Sequence, residues 1–317
     1  MTTNLYDVAI IGSGPAGLSA SIYASRARLK TVLFENYNPA PQAILADIIE
    51  NFPGFPDGIK GYDLIGKLKK QSEKFGTEIK AALVKEIKTE VSSGKRTFRL
   101  ITDEKDYSSI SVIIATGAKF KQLGVKGEDR LTGRGVSYCA TCDAALFKNK
   151  DIVAVGGGDS ALQGTLFLTK FAKKIFLIHR QERLRAAQIL QEKIFAEAKI
   201  KFLPETVIEE ISGTNKVESV MVTNVKTSAK TKLSCEGVFI FVGWTPSTEF
   251  VKGLVNIDAT GHILTDAAMK TSAEGIFACG DCRATPLRQI ITACGDGAVA
   301  AHSAQQYIDR IKGTEYK

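Results

Sequence analysis

The chain has 317 residues, 44% apolar and 24% charged, a balance that excludes a disordered or fibrous protein. That length exceeds what one hydrophobic core usually spans, so two domains are expected. The net charge of +8 is spread along the chain among 34 acidic residues, without a basic stripe or stacking motif. This argues against nucleic-acid binding and leaves a mild positive field suited to steering an acidic protein partner.

The first apolar run, Val8-Ala9-Ile10-Ile11, lacks a basic leader and is broken at once by glycine, which does not fit a signal peptide. No run reaches the ~18 apolar residues of a membrane span. A cytoplasmic protein without a membrane anchor is expected, a setting in which a Cys-x-x-Cys pair is more often catalytic than structural.

Tyr6 to Ile11 runs into Gly12-Ser13-Gly14-Pro15-Ala16-Gly17, and Leu18 to Ala27 is rich in small, helix-compatible residues. A strand, a glycine turn and a helix are therefore predicted. Gly12 permits the tight turn, Gly14 lets a pyrophosphate approach the backbone, and Gly17 lets helix and strand lie close. Free amides at the helix start would receive the phosphate, and Pro15 near the first helical position has no amide to waste. A second strand, Thr31 to Phe34, ends at Glu35, 23 residues after Gly12, the separation expected of the acid that binds ribose hydroxyls. This is a dinucleotide-binding fingerprint. Lys67-Leu68-Lys69-Lys70 reads as a solvated helix face. Val112 to Gly117 closes another strand, at which the first domain would be interrupted, to resume near Pro246.

Cys139-Ala140-Thr141-Cys142-Asp143 sets two sulfurs one turn apart beside a carboxylate. Such a pair can close into a disulfide, and a lowered thiol pKa favours the thiolate that attacks or leaves. Spacing alone leaves a structural zinc pair and two buried core cysteines open beside redox chemistry.

The strand and glycine grammar returns at Asp151 to Val155 and Gly156-Gly157-Gly158-Asp159-Ser160-Ala161, with Ala161 in the place of a third glycine. Its second strand, Lys174 to Ile178, ends at His179-Arg180, again 23 residues on, with no acid there. A positive side chain at that point can hold a 2′-phosphate, which points to NADPH over NADH, with Arg180 and Arg185 as the phosphate clamps and Arg183 nearby.

Toward the C-terminus, Gly275 to Asp281 reads as a short buried strand ending in Gly280-Asp281, where the aspartate could bond the ribityl or pyrophosphate region of a flavin. From Gln289 through Ala301 a helix is predicted. Cys279 and Cys282 form a second Cys-x-x-Cys, but the two pairs lie 140 residues apart, far beyond the ~15–20 of compact zinc ribbons. A core or an auxiliary redox role remains open for them, while Cys235 and Cys294 read as core. His262 and His302 show no partner signature.

With these residues assembled, the chain resembles the low-molecular-weight thioredoxin reductases over essentially its whole length. The resemblance rests on Gly12 to Gly17, Glu50-Asn51-Phe52-Pro53-Gly54-Phe55-Pro56, Ala115-Thr116-Gly117-Ala118, Gly135-Val136-Ser137-Tyr138 leading into the dithiol, Gly156 to Ala161, and Gly280-Asp281 followed by Pro286-Leu287-Arg288-Gln289. It implies an α/β protein with two Rossmann-like nucleotide-binding domains. An NADPH domain carrying the dithiol, 118–245, would be inserted into a discontinuous FAD domain, 1–117 and 246–317, in a homodimer. Gln42, Asn51, Ala115, Thr116, Gly117, Arg288 and Gln289 would join the first glycine turn, Glu35, Gly280 and Asp281 around FAD. Gly156, Gly158, Asp159, Ser160, Ala161 and His179 would join the two arginines around NADPH.

The resemblance also implies that NADPH reduces the flavin, the flavin reduces the Cys139–Cys142 disulfide, and the dithiol reduces a disulfide in thioredoxin or a thioredoxin-like protein. Cys142 would face the flavin, Cys139 would attack the partner, and Asp143 would supply or accept the proton. Nicotinamide and disulfide would take turns at one flavin by rotation of the inserted domain on linkers near 117–121 and 243–247, with Gly117, Gly243 and Pro246 as hinge elements. Three departures stand out. Gln181 replaces the second arginine of a His-Arg-Arg motif, Gln163-Gly164 replaces residues that are often acidic, and Pro41-Gln42-Ala43 replaces a Gly-Gly-Gln-Leu run. The first two keep ferredoxin or another non-NADPH donor open, and a non-catalytic redox sensor is the remoter alternative.

Overall fold

Val8, Ala9 and Ile10 carry no solvent exposure, as strand residues do when both faces of a parallel sheet are covered. They lie on β1 (Leu5–Ile11), which runs through the glycine turn into α1 (Pro15–Arg26) and on to β2 (Thr31–Glu35). β2 pairs parallel with β1 from Val8↔Thr31 to Ile11↔Phe34. There follow α2 (Gly61–Lys74), β3 (Glu78–Ala81), the antiparallel hairpin β4 (Val84–Ser92) and β5 (Lys95–Thr102), and β6 (Tyr107–Ile114). The parallel order is β3-β2-β1-β6. The computed structural model describes residues 5–36, 42–45, 48–49, 51–92 and 95–315. Two compact units emerge, one of Met1–Lys119 with Thr245–Lys317 and one of Phe120–Trp244.

The chain passes between units through β7 (Ala118–Phe120). The second unit holds α3 (Glu128–Leu131), β8 (Val136–Ser137), α4 (Ala140–Asp143), β9 (Asp151–Val155), α5 (Asp159–Leu168), β10 (Lys174–Ile178), α6 (Gln188–Ala196) and β11 (Ile200–Leu203). An antiparallel meander, β12 (Thr206–Ser212), β13 (Ser219–Asn224) and β14 (Lys230–Ser234), precedes β15 (Gly237–Ile240). Its parallel sheet runs β11-β10-β9-β15-β8. The fully buried Ile152, Val153 and Ala154 of β9 take the central place that Val8 to Ile10 hold in the first sheet.

β16 (Trp244–Pro246) returns the chain to the first unit, which is completed by β17 (Ile276–Ala278) and α7 (Ile290–Lys312). β6 divides its outer edge between two partners: β5 pairs antiparallel along Tyr107–Ser109, and β17 pairs parallel along Val112–Ile114. The two parallel sheets, β3-β2-β1-β6-β17 and β11-β10-β9-β15-β8, thus repeat one α/β plan.

α7 starts at a capping box, in which the Gln289 and Thr292 side chains bond each other's backbone N–H. It stops at Gly313, whose left-handed φ of 71° suits a helix C-terminus. Its buried stripe is Ala293, Gly297, Ala300, Ala301 and Ala304, small enough for α1 to lie close: a Cβ on Gly297 would overlap the Ala16 carbonyl oxygen. Around this helix pair, each fully buried side chain such as Leu18 or Ile308 contributes roughly 1.5–3 kcal/mol.

One residue of the basic cluster on α2 departs from its sequence reading. Lys67 and Lys70 are solvated, but Lys69 Nζ reaches the Glu35 carboxylate at 2.6 Å. The i, i+4 face that carries Ile65 into the core carries Lys69 to the end of β2.

Candidate active site

The dithiol is built by short elements. Two residues of β8 pair with Val238 and Phe239 of β15, so the chain leaves the sheet edge directly into Tyr138 and Cys139, and α4 begins at Ala140. Cys139 and Cys142 form a disulfide with Cα atoms 5.4 Å apart, a separation that needs no backbone distortion. Thr141 Oγ1 lies 3.5 Å from Cys139 Sγ. Asp143 closes the helix with its carboxyl mostly out of water. Burial pushes its pKa up, and a hydrogen bond donated by Ser137 Oγ opposes the rise.

Upstream, Tyr138 is tied to a buried carboxyl. Glu128, almost without exposure, accepts the Tyr138 hydroxyl at 2.8 Å and the backbone N–H groups of Leu123, Gly124 and Val125. The Tyr138 ring stacks on Phe120, which in turn contacts Trp244.

In the same unit, the second glycine turn follows β9. A Cβ at Gly157 would collide with the imidazole of His179, which packs under the turn with 5% exposure. Its pKa is lowered by burial and then by the neighbouring Arg185, with Arg180 adding to the effect. Both sequence-predicted phosphate clamps therefore lie close enough to act on the histidine beneath the turn, while their own side chains are exposed. Gly157 O accepts the Arg185 and Ala186 N–H groups at 2.7 and 3.1 Å, and Asp159 Oδ1 accepts Ala187 N–H at 2.7 Å, folding the arginine loop onto the turn. α5 begins after Gly158 with no side-chain cap, with Ser160 exposed in its first turn. Ala161 fits in the third-glycine place because Gly156 has no Cβ to meet it. The same economy operates at Gly164, where a Cβ would press on the Phe241 ring at 3.0 Å.

The first unit shows the matching turn. Gly12 has φ 113° and lies against the Ala115 carbonyl, and a Cβ on Gly17 would overlap the Gly12 carbonyl oxygen. Nothing crowds Gly14, and α1 starts there with Pro15 and no side-chain cap, leaving amides free for an anion. Ser13 is buried in the turn, Thr116 Oγ1 donates to Ser247 O at 2.7 Å, and Gly280 lies against Ala16. Thus Gly12, Ala16, Ala115 and Gly280 converge, with Gly117 next in the chain. Asn51 Nδ2 donates to Gln289 Oε1 at 2.9 Å, and Gln42 Nε2 donates to Ala118 O. Pro41 and Glu50 lie outside the described residues.

The Asp281 carboxyl is pushed up to about 6 by burial, against the pull of Arg288. Arg288 meets a residue that had no partner signature. Its guanidinium lies 2.9 Å from His262 Nε2, and Nδ1 of that buried ring lies 2.7 Å from Thr260 Oγ1, which donates to Asp258. His262 is 26 residues from Arg288, and no local pattern marks the pair.

A family model described as pyridine nucleotide-disulphide oxidoreductase matches residues 6–297. The chain belongs to that family. A thioredoxin reductase of Peptoclostridium litorale is 43% identical over 314 residues, covering 97% of this chain and 98% of the relative. The crystal structure of thioredoxin reductase from Streptococcus pyogenes matches with a TM-score of 0.91 and 44% identity, over 98% and 100% of the two chains. A ferredoxin-flavin thioredoxin reductase from Clostridium acetobutylicum matches at 34% identity and a TM-score of 0.52, over 98% and 99%.

A pyridine nucleotide-disulphide oxidoreductase works with a flavin and a pyridine nucleotide, and the chain fits both. It has two glycine turns, each with an uncrowded glycine, Gly14 and Gly158, opening onto an uncapped helix start, and Gly280, next to the half-buried Asp281, lies against Ala16 of the first. The other cysteines differ from the dithiol. Cys279 and Cys282 are wholly buried and free, with both thiols pushed up by burial, and Cys282 Sγ contacts the carbonyls of Ile114 and Cys279. Cys235 is buried as expected, while Cys294 is only half-buried. Among the described residues no cluster of His, Cys, Asp or Glu could hold a metal ion, and no helix is long and apolar enough to cross a membrane.

Proposed function

We propose that the chain is a thioredoxin-disulfide reductase that draws electrons from NADPH, holds FAD in a discontinuous domain of residues 1–117 and 246–317, and carries its dithiol in an NADPH domain of residues 118–245. The observation that carries this reading is the Cys139–Cys142 disulfide beside a buried carboxyl, in a chain whose full-length relatives are thioredoxin reductases. Preference for NADPH rests on His179 and Arg180 just after β10, where an acid would favour NADH, and on Arg185 in the loop that follows.

When bound, the flavin supplies an electron pair, taken from the nicotinamide, that opens the disulfide. The chain's own groups do the rest. The Cys139 thiolate attacks a disulfide sulfur of the partner, forming a mixed disulfide and releasing one partner thiolate. The Cys142 thiolate then attacks Cys139 Sγ, restoring the internal bridge and releasing the second partner sulfur. Asp143 supplies the proton that a departing thiolate takes up. Gly14 and the start of α1 would hold the FAD pyrophosphate, Glu35 its ribose, and Asp281, Arg288 and Gln289 the region beyond. Gly156, Gly158, Asp159, Ser160 and Ala161 would hold the NADPH pyrophosphate.

Anaerobic titration of the yellow protein with NADPH, NADH and reduced ferredoxin, followed by an oxidised thioredoxin, tests the reading. Bleaching by NADPH with recovery on adding the disulfide protein is expected. Bleaching by ferredoxin alone would transfer the chain to the other donor class. The same reading expects a cytoplasmic homodimer, which sedimentation of the purified protein tests.

A further inference from the structure

Ser137 has 5% exposure, and its hydroxyl stands between the two ends of the dithiol motif. Oγ accepts the Cys139 backbone N–H at 3.1 Å and donates to Asp143 Oδ2 at 2.6 Å. It also lies 3.3 Å from the Cys139 carbonyl oxygen, a second acceptor for the same proton. A hydroxyl has one proton and two lone pairs, so it serves one of these two acceptors at a time and keeps a lone pair open for a second donor. With Asp143 ionised, Ser137 donates to the carboxylate. With Asp143 protonated, the carboxyl donates to Oγ and the hydroxyl turns to the Cys139 carbonyl, so the network closes in either state.

We infer that Ser137 is a positioning residue of the dithiol, holding the Asp143 carboxyl beside Cys139–Cys142 and keeping it hydrogen-bonded in both of its proton states. This rests on the reading of that bridge as the working disulfide and of Asp143 as its proton donor. Burial alone drives Asp143 toward the protonated form, and the Ser137 bond is the opposing influence. Among the described residues no charged side chain shares in that balance. On the adjacent α5, the Asp159 carboxylate is turned to Ala187 N–H, and the bridged cysteines do not titrate. Removing the hydroxyl therefore leaves burial unopposed, and Asp143 holds its proton to higher pH.

The test is an infrared titration of the oxidised protein, with the Asp143 C=O band identified as the one lost in Asp143→Asn. Ser137→Ala is expected to move the midpoint of that band to higher pH by about one unit, a tenfold change in proton affinity. Ser137→Thr is expected to restore it. The thioredoxin-reduction pH profile should show its Asp143 limb moving in step. An unmoved midpoint in Ser137→Ala, or a loss of rate equal at every pH, overturns the inference. If the alanine variant does not fold, Ser137→Thr and Ser137→Val supply the comparison at constant shape, and equal midpoints in those two likewise overturn it. The infrared arm needs neither donor nor partner, so failure of wild-type turnover would count against the parent reading and not against Ser137.

Discussion

Gly157 has ordinary backbone angles, so its lack of a side chain serves the His179 ring beneath it. Gly157→Ala is therefore expected to lose about 1–3 kcal/mol by overpacking and to weaken binding of the pyridine nucleotide, NADPH in the proposed reading. His179→Ala in that background should recover part of the stability, and thermal melts of the single and double variants check the non-additivity. Asp281 makes a pH prediction. Because burial raises its carboxyl to about 6, the folded state holds the proton more tightly than the unfolded state does. Its contribution is full below the unfolded value near 4 and is lost as pH rises through 6, at a cost of up to about 3 kcal/mol. In flavin-stripped protein, Asp281→Asn should raise the melting temperature relative to wild type more at pH 8 than at pH 5. Glu35 and His179 were legible in the sequence because each ends the second strand of a repeated pattern. Ser137 and the His262–Arg288 contact were not, since a hydroxyl two residues from a cysteine, or a histidine 26 residues from an arginine, has no periodic signature.

At the scale of elements, the α1–α7 pair holds the first glycine turn, and Gly297 is its tightest point. Gly297→Ala should force the helices apart, costing about 1–3 kcal/mol and releasing flavin, read as free-flavin fluorescence. The strands and helices around both turns could be read from sequence because each spans enough residues to show its period. β8 and α4, with two and four residues, could not. β8 exists because β15, about 100 residues later, pairs with it, and α4 has too few residues to display a helical face. Lys69 was misread for a related reason: a lysine-rich turn looks solvated until the end of β2 presents Glu35 to it.

Over the whole molecule, two parallel sheets of the same order each place a glycine turn at the end of the central strand, so the duplicated motif in the sequence is a duplicated fold. One copy ends in an acid and the other runs into His179 and the cationic Arg180, which is why two different nucleotides are proposed. If the inserted domain must turn to let nicotinamide and disulfide use one flavin, cross-linking the units in one orientation should abolish turnover while one half-reaction survives. Full activity in the locked protein would reject rotation. The central claim is that electrons leave through the Cys139–Cys142 bridge, and the most direct measurement is NADPH-dependent thioredoxin reduction by Cys139→Ser and Cys142→Ser. Each variant should lose turnover by at least roughly a thousandfold while NADPH still bleaches the flavin. Undiminished reduction of the protein disulfide by either variant would contradict the account.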